Sequence, residues 1–125
     1  MRRRKYGNVK VQVDGYGFDS KAEAQRYGEL KLLVQAGEIC ELNVHPVFVL
    51  QQAFEDVDGK RRRAITYEAD FMYREHGKYG IAGHDPRLGQ WIVEDVKGKR
   101  TAVFNIKLKL FLHRYRTYHF RLIPA

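Results

Sequence analysis

Three stretches of this chain carry acids and a lysine in arrangements able to act on a phosphate ester. In Trp91-Ile92-Val93-Glu94-Asp95-Val96-Lys97, an acid and a lysine close an otherwise apolar run. Read as a strand, the run points Asp95 and Lys97 to the same side as Val93 and Trp91, and Glu94 to the other side with Ile92 and Val96. In Ile65-Thr66-Tyr67-Glu68-Ala69-Asp70-Phe71-Met72-Tyr73 the same alternation puts Glu68, Asp70 and Met72 opposite Ala69, Phe71 and Tyr73. If the two strands pair near these ends, Asp70 and Asp95 come within reach of one cation. Two carboxylates with retained waters suit magnesium, with manganese as a substitute. An ion held there polarises a phosphodiester and lowers the pKa of a bound water. Lys97 then orients the attacking water or stabilises the transition-state oxyanion.

Asp-x-Lys alone is a weak signal, and an isolated Asp near a strand end is more often solvated than a ligand. The weight comes from the order of elements around it. In Phe18-Asp19-Ser20-Lys21-Ala22-Glu23, Ser20 is placed to cap a helix and Glu23 to reach back to it, with Phe18 as the apolar residue outside. The helix runs to about Ala36, where Gly37 stops it, and its buried stripe is Tyr27, Leu30, Leu33 and Val34 with Glu23 at the head. Glu23 is thus either a capping-box residue or a third metal ligand. Val9 to Val13 alternates into a turn at Asp14-Gly15, and Ile39 to Leu50 is strand-like with a bend at Pro46. A turn at Asp56–Gly59 leads into a returning strand over Arg61–Tyr73. Arg74 to Gln90 reads as an exposed loop or ribbon. After Trp91–Lys97, Thr101 caps a second helix whose inner face is Phe104, Leu108, Phe111, Leu112 and Tyr115, and Tyr118–Ile123 forms a last strand. The order is helix, three strands, helix, strand, in an α/β protein.

Composition bounds the partner. At 125 residues and 44% hydrophobic positions, one packed domain is expected, over 11–125, behind a basic mobile arm at 1–10. One cysteine, Cys40, excludes an internal disulfide, and His76, His84, His113 and His119 lack the spacing of a zinc site. No apolar run approaches the roughly 20 residues of a membrane span, so a soluble, intracellular protein is expected. Lys and Arg number 23 against 15 Asp and Glu, a formal charge of +8, which favours a polyanion, nucleic acid first. The basic groups Arg2, Arg3, Arg4 and Lys5, then Arg61–Arg63, then Lys99 and Arg100, then Lys107, Lys109, Arg114 and Arg116 bracket the carboxylates, as a cleft for a phosphate backbone requires.

The segments Phe18-Asp19-Ser20-Lys21-Ala22-Glu23-Ala24-Gln25-Arg26-Tyr27, His45-Pro46, Ile65-Thr66-Tyr67-Glu68-Ala69-Asp70-Phe71 and Val93-Glu94-Asp95-Val96-Lys97-Gly98 resemble a small, mostly phage- or prophage-encoded group of the PD-(D/E)XK nuclease superfamily. The similarity runs from about Tyr6 to Ile123. It implies a restriction-endonuclease-like αβββαβ core, a mixed central sheet flanked by helices, and a cytoplasmic location in a bacterium or phage-infected cell. Asp70 matches the first motif acid, Asp95 the second, and Lys97 the lysine. Glu23 resembles the helix glutamate of the resolvase-like and transposon-end-cleaving branches. Ala69 stands where the motif has proline, His45 where the superfamily often has glutamine, and Gly80–Gly89 is an addition.

The expected activity is magnesium-dependent endonucleolytic hydrolysis of DNA in phage recombination, repair or processing. Asp70, Asp95 and Lys97 are its catalytic set, with Glu23 as fourth member, and Glu23, Asp70 and Asp95 hold the ion. Lys107, between Phe104 and Phe111, is either a further catalytic lysine or one that snorkels past the core. Arg2–Lys5, Lys99, Arg100 and Lys107 are the expected contacts to duplex or branched DNA. Cutting two strands favours a homodimer. The rival readings are a non-catalytic nucleic-acid-binding module of a recombination or packaging complex and a basic ribosome- or RNA-associated protein.

Overall fold

The structure, a computed structural model, describes residues 10–76 and 89–125. Its elements are β1 (Val11–Val13), β2 (Tyr16–Phe18), α1 (Lys21–Gln35), β3 (Ile39–Val44), β4 (Val47–Gln51), β5 (Phe54–Glu55), β6 (Arg61–Arg62), β7 (Ile65–Glu68), β8 (Phe71–Glu75), β9 (Trp91–Lys97), α2 (Ala102–Arg114) and β10 (Tyr118–Pro124). The fold is mixed α/β. A central sheet of order β10-β9-β8-β3 has β10 parallel to β9 and its other pairs antiparallel. The helical crossover α2 supplies the length that a parallel pair needs.

Strand β9 is buried on both faces and sorts the core into two layers. Ile92 and Val96 pack with Phe18, Tyr27 and Leu30 under α1, while Val93 packs with Phe104, Leu108 and Phe111 under α2. Neighbouring residues of a strand point to opposite faces, so the two helices cover opposite sides of the sheet. Both begin where a side-chain cap was expected: Ser20 accepts from the Glu23 N–H at 3.1 Å, and Thr101 from the Phe104 N–H at 3.1 Å. Val34 and Leu112, placed on the inner stripes by periodicity, are 39% and 46% exposed. Each lies in the last turn of its helix.

The long returning strand expected over Arg61–Tyr73 is instead three short ones, and its last break falls at Asp70. Tyr67 and Ala69 pack in the α2 layer, whereas Phe71 and Tyr73, still at even spacing, pack in the α1 layer. The chain therefore changes faces at Asp70, and the simple alternation assumed for Glu68, Asp70 and Met72 does not run through it. The partner strand breaks alongside. His45 takes a left-handed φ of 56°, and Pro46 has no N–H to donate to a ladder. The His45 N–H donates to the Asp70 carbonyl at 2.9 Å and the Ala69 N–H to the Pro46 carbonyl at 3.0 Å, so the two bends are clasped together.

At the N-terminal end, Asp14 and Gly15, both with positive φ, make the two-residue turn of a β1–β2 hairpin. Its second strand was not expected, and it delivers Phe18 to the core and Gly17 and Asp19 to the site. The arm expected over 1–10 lies outside the described residues save for Lys10, as does the Gly80–Gly89 segment save for Gly89. Among the described residues no helix is long and apolar enough to cross a membrane.

Candidate active site

The paired bends, the start of α1 and the end of β9 enclose a cavity of about 410 Å³ lined by Gly17, Asp19, Glu23, His45, Glu68, Asp70 and Lys97. Three of the four residues expected to be catalytic are in that lining. Four carboxylates face one lysine and one histidine, in a protein whose net charge is +8. Such a cavity repels phosphate unless a cation enters with it.

Glu23 is brought in by the first turn of α1 and is only 9% exposed. Burial, then repulsion from Asp19, raises its pKa above the ordinary carboxylate value. Its Oε2 is buried with no hydrogen-bond partner among the described residues. A carboxylate oxygen left so is expensive, and either a proton or a cation relieves it. One donor atom each from Glu23, His45 and Asp70 lie within 4.8 Å of one another. Two carboxylate oxygens and an imidazole nitrogen at that spacing fit a divalent ion, magnesium or manganese.

Asp70 sits at the face-changing bend. Its Oδ2 accepts the Val96 N–H at 2.6 Å, and its own N–H donates to the Glu94 carbonyl at 3.1 Å, which fixes it to β9. Burial, then a hydrogen bond and repulsion from Asp95, pushes its pKa up to about 8. Asp95 is thus Asp70's neighbour, as the strand pairing implied. It is 3% exposed and is neither in the cavity lining nor in the trio of converging donors. Its Oδ2 accepts the Tyr67 hydroxyl at 2.5 Å, and its Oδ1 lies 3.8 Å from Lys97 Nζ. Burial and that bond hold the Tyr67 phenol above its ordinary pKa. Lys97 reaches the cavity with its ammonium 4.7 Å from the centre of the Phe104 ring, a cation–π contact that steadies it.

Two functional residues escaped the sequence reading. In the sequence His45 stands only where a glutamine is common before the proline; its signal is a polar residue with a ring nitrogen at a Pro bend, a place where the chain must turn a side chain out of the ladder. Arg26 was the second. Glu94 is completely buried, and Arg26 holds it with Nε to Oε1 at 2.8 Å and Nη2 to Oε2 at 2.6 Å, while the Tyr73 hydroxyl donates to Oε2 as well. The contact raises the Arg26 pKa. An acid on an apolar strand needs such a partner, and Arg26, three residues past Glu23, lies on the same helix face. The pair bolts the turn carrying Glu23 to the strand carrying Asp95 and Lys97.

The expected nucleic-acid contacts are placed unevenly. Lys99 and Arg100 are exposed just beyond Lys97, with Arg100 Nε donating to Asn105 Oδ1 at 2.9 Å. Lys107 is half-buried on α2 and does not line the cavity. Arg2, Arg3, Arg4 and Lys5 lie outside the described residues.

No curated protein and no solved structure matches the chain. One family model does, over residues 3–123, a span that includes every element around the cavity, and the chain belongs to the family described as protein of unknown function (DUF1064).

Proposed function

We propose that the chain is a metal-dependent nuclease that hydrolyses phosphodiester bonds in DNA, with magnesium or manganese at the cavity. The observation that carries this reading is the unpartnered, buried Oε2 of Glu23 beside Asp70 and His45, with the Lys97 ammonium on the wall of the same cavity. A divalent ion bound there supplies charge to polarise the phosphate and to acidify a water.

The chain's own residues do the rest. Glu23, His45 and Asp70 offer the ligand atoms, and the Val96 N–H holds the Asp70 carboxyl in one orientation. Asp95 adds negative charge beside Asp70, which favours a cation in the cavity, and it anchors Lys97 from behind. Lys97 brings a point charge to the non-bridging oxygen of the incoming phosphate and stabilises charge that grows there in the transition state. Lys99 and Arg100, just past Lys97, are placed to receive the flanking backbone.

The test is incubation of purified protein with linear, flap and four-way DNA, and with RNA, in magnesium, manganese or a chelator. Cleavage in either metal and none in chelator supports the reading. Tight DNA binding with no cleavage in any metal contradicts it and leaves a non-catalytic binding module.

A further inference from the structure

His45 brings an imidazole to the cavity wall from a left-handed backbone position. The residue sits at φ 56°, a region that L side chains rarely adopt and for which histidine, asparagine and aspartate are the tolerated types. The fold accepts that strain between two clasped bends, with the His45 N–H committed to the Asp70 carbonyl. The ring is steadied by Phe18, whose centroid lies 5.7 Å away at a tilt of 56°. One of the His45 ring nitrogens lies within 4.8 Å of a carboxylate oxygen of Glu23 and of Asp70, and Glu23 carries a buried oxygen, Oε2, without a donor among the described residues. A hydrogen bond does not account for that oxygen, which has no donor among the described residues.

Resting on the metal-binding reading above, we propose that His45 sets which cation the cavity takes, selecting manganese over magnesium. Magnesium keeps to oxygen ligands and gives up water reluctantly. One imidazole among two carboxylates replaces a hard oxygen donor with a nitrogen, which a transition ion accepts and magnesium does not welcome. Manganese shares magnesium's preference for carboxylates but, as a first-row transition ion, also accepts a nitrogen donor, so of these two ions it matches the mixed set better. Glu23 and Asp70 supply charge to either ion, so discrimination falls to His45 alone.

The test uses the full chain without DNA and reads metal binding directly. Mn²⁺ affinity is measured from the loss of the free-ion electron paramagnetic resonance signal, Mg²⁺ by competition, and the bound Mn²⁺ spectrum is inspected for coupling to an imidazole nitrogen. The informative variant is His45→Asn, which tolerates the left-handed backbone and offers an amide oxygen in place of the nitrogen. Wild type is expected to bind Mn²⁺ at least about tenfold more tightly than Mg²⁺, and His45→Asn to lose about tenfold in Mn²⁺ affinity with Mg²⁺ little changed. Nitrogen coupling is expected in wild type and absent from the variant. A Glu23→Gln control is expected to weaken both ions, and a thermal melt checks that each variant is folded. Metal bound with the same Mn²⁺ to Mg²⁺ ratio in wild type and His45→Asn, or bound Mn²⁺ without nitrogen coupling, overturns the selectivity while leaving the metal site. No binding of either ion to folded wild type overturns both.

Discussion

Asp70, half-buried, and Glu94, fully buried, are two acids with opposite treatment. Glu94 is neutralised by Arg26 in a bidentate pair, whereas Asp70 is left beside another acid. Removing one partner of a buried pair leaves a bare charge, so Arg26→Met is expected to lower stability by about 3–5 kcal/mol. The double variant Arg26→Met/Glu94→Leu is expected to recover most of that, and urea denaturation of the three proteins checks it. Asp70 predicts a pH effect. Its folded-state pKa of about 8 lies above the ordinary 3.8, so between those values the folded chain keeps a proton that the unfolded chain has lost. Metal-free stability therefore falls as pH rises through that window and levels off above it. Asp70→Asn is expected to flatten this dependence and to melt higher than wild type near pH 8 in chelator, by about 4 °C for each kcal/mol of penalty removed. A variant that melts lower at pH 8 and keeps the slope of wild type would count against a half-buried, proton-holding Asp70. The same proton is displaced when a cation binds, so calorimetry of Mn²⁺ binding at pH 7 is expected to show proton release in wild type that Asp70→Asn loses.

At the scale of elements, the site is built where regular structure ends: the first turn of α1, the bends between β3 and β4 and between β7 and β8, and the last residues of β9. The parts with a strong local signal were legible. Ser20 and Glu23 marked the start of α1, Thr101 that of α2, and the apolar run at 91–97 gave β9 with the opposed directions of Glu94 and Asp95. What periodicity missed was the bend at Asp70. Odd positions from Tyr67 to Tyr73 are all apolar, and nothing local says that the first two face one helix and the last two the other. That change of face is a tertiary consequence of two strands bending together, and it also explains why His45 went unnoticed: its role exists only once the bends are clasped. Arg26 was missed for a related reason, since a helix arginine declares itself only when the strand acid opposite is in place. Because Ser20 holds the turn that carries Glu23, Ser20→Ala is expected to cost about 1 kcal/mol of stability and to weaken metal binding modestly. Ser20→Asp, which caps as well, is expected to restore both in the same denaturation and metal titrations.

The whole molecule sets an acidic cavity in a chain of net charge +8, an arrangement expected to attract a polyanion broadly and, on the proposed function, to admit its phosphate only with a cation. Binding to DNA is expected to weaken steeply with salt, and replacing Lys99 and Arg100 together by alanine to lower the log–log slope by about two units. An unchanged slope removes that loop from the footprint. The most direct test is cleavage and binding of end-labelled DNA by wild type, Asp70→Asn and Lys97→Ala, each in magnesium, manganese and chelator. Wild type is predicted to cut only with metal, and Asp70→Asn to fall to the chelated rate while still binding DNA. Lys97→Ala is predicted to keep its metal affinity yet lose about a hundredfold or more in rate. Cleavage by Asp70→Asn at the wild-type rate, or no cleavage by wild type in either metal, contradicts the account.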